Sequence, residues 1–285
     1  MTIRKILTPV RGDGNSRYVI DHAIAIAKRF KAHVDVVYIQ TSLNAPLPFR
    51  MPTKLRDTVM DAILNRDSAE IASVRSYFDD ICASEKLVIC NDVASAKNET
   101  SISWSAFTGR QSQLVAKFGR MSDLVVVARP DPINHIGINT LEESLFNTGK
   151  AVLIAPKKSV LSLGNHIAIA WNGSAAAARA LTLALPLVKA ADKVSILTVG
   201  SNDANREDTA ALVEYLQWHD IAAGVRIFEC EKNELGVRLM AEAESSGADM
   251  LVMGAYGHNR HKEILMGGVT EHVIWNMNMP IFMAR

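Results

Sequence analysis

Hydrophobic positions in the second half of this chain fall into short unbroken runs, at 167–171, 193–199, 224–230, 249–254 and 281–284. The stretches between them carry a three-to-four-residue rhythm. Over 175–189, Leu181, Leu185 and Val188 share one helical face, and over 205–222 Leu212, Tyr215, Leu216 and His219 do so. Further helices are predicted over 234–245 and 268–276. Continuous apolar runs of this length are what strands covered on both faces look like. Their alternation with helices predicts right-handed crossovers and a parallel sheet with helices on both sides.

The first half follows the same plan with insertions. Strands are predicted over 6–10, 33–39, 102–107, 124–128 and 151–155, and helices over 16–30, 55–83 and 111–120. The Pro- and Asn-rich stretch 40–53 reads as a loop, and 86–93 as an extended apolar segment. The halves repeat one another. Each opens with a short apolar run closed by a glycine, Gly12 or Gly173, before an Ala-containing helix, and Ser122–Ala128 matches Ala248–Gly254. One unit used twice accounts for 285 residues better than one large fold. The expected architecture is α/β: two tandem open-sheet parallel domains over 1–156 and 165–285, with a linker near 156–165. The last strands, 151–155 and 281–284, are expected to cover each other's edges as a pseudo-dimer inside one chain, with a homodimer as a further level of assembly.

Composition narrows the classes. Hydrophobic residues are 48% and charged residues 21%, which suits a packed globular chain rather than a disordered one. No apolar run reaches the roughly 18–20 residues that span a bilayer, and the N-terminus shows no secretory pattern. A net charge of +1 gives no electrostatic footprint for nucleic acid or an anionic membrane. Cys82, Cys90 and Cys230, with no CxxC spacing, read as reduced thiols of a cytoplasmic protein.

The chemistry gathers at Gly254-Ala255-Tyr256-Gly257, followed after nine residues by Gly267-Gly268-Val269-Thr270. This stretch leaves a strand and enters a helix. Glycines there let backbone approach a ligand closely, and free N–H groups at a helix start favour an anion such as a phosphate chain. In open α/β sheets ligands sit beyond the strand C-termini where strand order reverses. An order 3-2-1-4-5 places that reversal between strands one and four, so that Asn172-Gly173-Ser174 would face the glycine loop. Each residue also has a plainer reading. The loop is a tight turn, Asn172 or Ser174 caps a helix, and His258, Arg260 and His261 are solvated. Trp104, Trp171, Trp218 and Trp275 read as packing residues, with Trp171 alone near the crevice.

Gly254, Gly257, Gly267 and Gly268-Val269-Thr270, together with Asn172-Gly173-Ser174, resemble the glycine signature and strand-one opening of the universal stress protein family. The duplicated plan makes the chain similar to a tandem member. The resemblance implies a flavodoxin-like, adenine-nucleotide-binding fold with ATP, ADP or AMP, accompanied by Mg, as ligand. It implies Ala170, Trp171 and Asn172 near adenine and ribose, and Val199 offering backbone groups to adenine. It implies Gly254, Gly257, Gly267, Gly268, Val269 and Thr270 around ribose and phosphates. Two positions depart from the pattern: Asn172 stands where Asp is common, and Gly268 where Ser or Thr is common.

The first half lacks the signature. Ala128 and Asp131 stand at the glycine positions, Pro130 and Pro132 stiffen the loop, and Arg11 matches Asn172. This half is expected not to hold ATP in the same way, but to act as a partner surface or to form a different pocket around Arg11, Arg129 and His135. The leading function is a nucleotide-responsive stress-response module, in which phosphate orders the loop 257–267. The alternatives are slow ATP hydrolysis or nucleotidyl transfer, and a scaffold with a vestigial pocket. A Walker-type phosphate loop and a clear general base are both missing from the sequence.

Overall fold

The computed structural model describes residues 2–41, 53–96, 98–200, 203–231, 233–255 and 268–285. The first run comprises strand β1 (Lys5–Val10), helix α1 (Ser16–Phe30), β2 (His33–Thr41), α2 (Thr53–Ser84), β3 (Val88–Ile89) and β4 (Ser101–Gly109). It continues with α3 (Gln111–Gly119), β5 (Leu124–Ala128), α4 (Ile138–Asn147) and β6 (Ala151–Ala155). The second run comprises β7 (His166–Trp171), α5 (Ala175–Lys189), β8 (Lys193–Val199), α6 (Asp203–Gln217) and β9 (Ala223–Phe228). It ends with α7 (Leu235–Ser246), β10 (Met250–Gly254), α8 (Gly268–Asn276) and β11 (Ile281–Ala284). The loop expected over 40–53 lies outside the described residues beyond Thr41.

The strands form one sheet of eleven, ordered β3-β4-β2-β1-β5-β6-β11-β10-β7-β8-β9. The expectation of two five-stranded parallel sheets is corrected in strand number and direction, with eleven strands in one continuous sheet and an antiparallel seam. An extra edge strand, β3, flanks β4, and β6 and β11 pair antiparallel with Leu153 opposite Phe282. The physical reason for the merger is that each last strand would otherwise end a sheet with a row of unpaired backbone groups. The pairing of 151–155 with 281–284 expected from the sequence is the one observed. Because the seam is antiparallel, the C-terminal ends of β1, β2 and β5 and those of β7, β8 and β10 open on opposite ends of the sheet.

Each face of this sheet carries one hydrophobic cluster, and both clusters draw on both runs. Ile6, Phe78, Leu124, Ile169 and Leu181 lie in one cluster, and Leu7, Val125, Leu251 and Ile274 in the other. Adjacent residues of one strand, such as Ile6 and Leu7, thus serve opposite faces, as the strand period of two requires. α1 buries Val19, Ile20, Ala23, Ile26 and Ala27 and ends on Lys28 and Arg29, whose charges suit a helix C-terminus. Arg29 then reaches across to the second run. Its guanidinium donates to Leu163 O at 3.2 Å, to Asn165 Oδ1 at 2.8 Å and to Ala190 O.

A repeated aspartate sets the start of each first strand. Asp123 accepts the backbone N–H groups of Arg4 (2.8 Å) and Lys5 (3.0 Å). Asp249 accepts those of Gly164 (3.1 Å), Asn165 (2.9 Å) and His166 (3.2 Å). The repeat of Ser122-Asp123 and Ala248-Asp249 is therefore a strand-anchoring device at the end of the sheet away from each mouth. Cys82 and Cys90 are buried, and burial pushes the Cys82 thiol up to about 11, so this thiol is inert at neutral pH. Trp218, expected to pack, is 80% exposed just past α6. Among the described residues no helix is long and apolar enough to cross a membrane.

Candidate functional site

In the second run β7 lies between β8 and β10, so the strand order reverses between β7 and β10. The C-terminal ends of these three strands bring together Ala170, Trp171 and Asn172, then Val199, then Gly254. Beyond β7 the chain makes a tight turn. Asn172 Oδ1 accepts the Ser174 N–H at 3.2 Å, Gly173 holds φ +68°, and Ser174 Oγ accepts the Ala177 N–H at 3.2 Å. Ser174 is thus the N-cap of α5, and Asn172 shapes the turn that delivers it. The Asn172 oxygen is committed to this turn, whereas its exposed amide nitrogen is not.

Gly254 also has a packing role. A Cβ on Gly254 would lie 2.5 Å from Ala177 N and 2.6 Å from Ala176 C. Glycine here lets the end of β10 meet the first turn of α5, and Ala255 N then donates to Ala284 O at 2.8 Å. The mouth is therefore closed tightly on its strand side by backbone, with no side chain between. Val199 is half-buried, and Gly200, at φ +80°, donates its N–H to Phe228 O at 3.0 Å.

The far wall is the start of α8. Gly268 is exposed with φ +24°, and none of the described residues lies within 4 Å of its Cβ position. Val269 packs on the cluster that holds Met253 and Ala255, and Thr270 is 7% exposed. Glu271 lies in the first turn, where the helix dipole favours it, and its Oε1 accepts the Trp275 indole N–H at 3.3 Å. Gly257, Gly267, His258, Arg260 and His261 lie outside the described residues. One residue the sequence reading missed reaches the mouth. Asp208, exposed on α6, places Oδ2 at 2.7 Å from where a Gly173 Cβ would be. Nothing in the local sequence marks it, because the contact joins the turn after β7 to α6, with α5 and β8 between them in the chain.

The equivalent point of the first run, between β1 and β5, is filled. Arg11 follows β1 and pairs with Asp13 at 3.4 Å, and its side chain is 21% exposed. Burial pushes the guanidinium down from its ordinary value, and Asp13 pulls it back up. The start of α4 closes over it. Gly137, at φ +102°, leaves its Cβ position 2.7 Å from an Arg11 terminal nitrogen and 3.3 Å from Pro130 Cα. The cavity left among Val10, Arg11, Asp13, Ser16, Ala128 and Thr140 encloses about 10 Å³, about the space of one water.

The expected pocket around Arg11, Arg129 and His135 is not formed. Arg129 turns to the second run and donates to Met277 O at 3.2 Å, while the His135 ring meets the Trp275 ring edge-on at 5.6 Å. These two residues face the seam rather than Arg11 because the loop between β5 and α4 is pinned on itself. The Asp131 carboxylate accepts the N–H groups of Asn134 (3.1 Å) and Ile133 (2.9 Å), which hold it below the usual carboxylate range.

Comparison with known proteins bears on the second run first. Residues 165–285 match the model of the universal stress protein family. That stretch is similar to the family by sequence. A universal stress protein of Methanocaldococcus jannaschii is 44% identical over 43 residues, which are 15% of this chain and 26% of that protein. One from Synechocystis is 26% identical over 155 residues, 53% of this chain and 52% of that protein. The chain thus matches about half or less of these curated relatives' lengths. The crystal structure of a universal stress protein from Archaeoglobus fulgidus superimposes with a TM-score of 0.69 at 17% identity. It covers 100% of this chain and 97% of that one, so the fold of the first run is shared as well.

Proposed function

We propose that this chain is a tandem universal stress protein, with units over 1–156 and 165–285, that binds one adenine nucleotide (ATP, ADP or AMP) at the mouth between β7 and β10. The observation that carries the reading is the contrast between two topologically equivalent mouths. The one inside the family-matching stretch presents a glycine-closed strand end and the exposed start of α8. The other is filled by Arg11 beneath Gly137. The first-turn N–H groups of α8 supply partial positive charge for phosphate. The adenine and ribose end falls to Trp171, Asn172 and Val199, and the phosphate end to Gly268, Val269 and Thr270. Among the described residues no cluster of acids and histidines could hold a metal, so Mg would be held through the phosphates of the nucleotide. In this reading the first run does not take nucleotide but serves as the surface on which the second is built.

The test is titration calorimetry of the full chain with ATP, ADP and AMP. One saturable site per chain is expected, and at hundredfold excess over Kd the nucleotide adds about 2.7 kcal/mol of stability. Gly268→Glu places a carboxylate in the phosphate position and is expected to remove binding while the protein stays folded. Absence of any saturable adenine nucleotide binding by the wild-type chain overturns the reading.

A further inference from the structure

Asp208 is the one acidic side chain that the described residues bring against the β7 turn. A carboxylate beside a mouth that takes phosphate repels it, and exposure of Asp208 softens that repulsion without removing it. Its position therefore has to be compatible with the part of the ligand that carries no charge. The strand order supplies that position. β8, β7 and β10 lie side by side, with Val199 ending the first, Asn172 and Gly173 following the second, and Gly254 ending the third. A nucleotide laid across these ends, base toward Val199 and phosphates toward α8, has its sugar over the β7 turn. Gly173 leaves that turn bare on the side of α6, with Asp208 Oδ2 2.7 Å from its Cβ position. The Asn172 oxygen already accepts from Ser174 N and is uncharged, so it is the weaker acceptor beside Asp208. An ionised carboxylate is an acceptor only, so the matching ligand groups are hydroxyl donors.

From this geometry we infer that Asp208 is a specificity-determining residue that accepts hydrogen bonds from the ribose hydroxyls and so selects ribonucleotides over deoxyribonucleotides. The inference rests on the nucleotide reading above. Asp208 is exposed, and the described residues give it no other partner, so Asp208→Ala and Asp208→Asn are expected to leave the melting temperature in place.

The experiment compares Kd values of ATP, 2′-deoxy-ATP, 3′-deoxy-ATP and ITP for the wild-type chain and both variants. In the wild type, loss of a ribose hydroxyl is expected to weaken binding on the order of tenfold, the scale of one charge-assisted hydrogen bond. In Asp208→Ala and Asp208→Asn, ATP weakens by a similar factor and the ribo-to-deoxy ratio falls to about one. If the variants bind ATP and keep the wild-type ratio, the inference fails while the nucleotide reading stands. If instead the ATP-to-ITP ratio collapses, Asp208 faces the base amine and the ribose assignment is overturned. If the wild type binds none of the four, both fail together.

Discussion

The two mouths of this sheet share a topology and differ in a handful of side chains. Between β1 and β5 stand Arg11, Ala128 and a loop pinned by Asp131; between β7 and β10 stand Asn172, Gly254 and the exposed start of α8. A long cation folded under Gly137 occupies the first. In the second the polar side chain is short and bonded within its own turn, and the helix start is exposed at Gly268. The lesson is that a switch point offers a place for a ligand, and the residue after the first strand decides whether that place is taken from within. A guanidinium there satisfies the concave site with the protein's own charge, and about 10 Å³ of space is left.

The sharpest way to break this comparison is at the strand ends. Gly254→Ala puts a Cβ 2.5 Å from backbone nitrogen, where no flexible side chain can give way, and is expected to cost about 3 kcal/mol in denaturant unfolding. Ala128→Gly at the matching position is expected to cost less than about 1 kcal/mol. Equal costs would show that the two strand ends pack alike.

The anchoring aspartates come next. Asp249 accepts three backbone N–H groups and Asp123 two. Asp249→Ala is expected to lose about 2 kcal/mol and Asp123→Ala about 1 kcal/mol, since each loss leaves N–H groups without a charged acceptor. A reversed order would mean that solvent replaces the bonds at 249 more readily than at 123.

Arg11→Ala should cost about 1 kcal/mol, through lost packing of the side-chain stem and an unpaired Asp13. It should not create a second nucleotide site, because Asp131 and the two prolines still line that loop. Calorimetric stoichiometry above one per chain in this variant would show that the arginine alone had closed the mouth.

The smallest effect is with pH. Burial lowers the pKa of His22, His33 and His166 below the ordinary value. The folded state therefore binds these protons less readily than the unfolded chain. Their contribution is fully present above about pH 6.5, the value for a free histidine, and fades as the pH falls below it. His33→Asn and His166→Asn, which cannot titrate, should flatten the fall in melting temperature between neutral and mildly acidic pH.

Much of this was legible in the chain. The runs at 167–171 and 193–199 are strands within a residue of their expected bounds, because a doubly covered strand leaves an uninterrupted apolar stretch. The helix over 175–189 runs through Pro186 as its pattern predicts, although proline removes a backbone donor there. The segment 86–93 was harder. Only Val88–Ile89 pair, and Val93 is 92% exposed, because a strand beyond β4 has cover on one side alone. At the site, sequence located the turn at Asn172–Ser174 and the helix start at Gly268. It did not show that Gly254 packs against Ala177, and it passed over Asp208 and Gly137. Neither could be seen, since both act on residues more than thirty positions away.

Period and punctuation along the chain determined the elements, their duplication and the position of both mouths, because these depend on neighbours within one strand or one helical turn. Tertiary structure decided that the seam runs antiparallel, that Arg11 turns inward while Arg129 and His135 turn to the seam, and that Asp208 meets Gly173. Those outcomes depend on which edges are left unpaired and which helices cross above a given strand, and no local spacing encodes either.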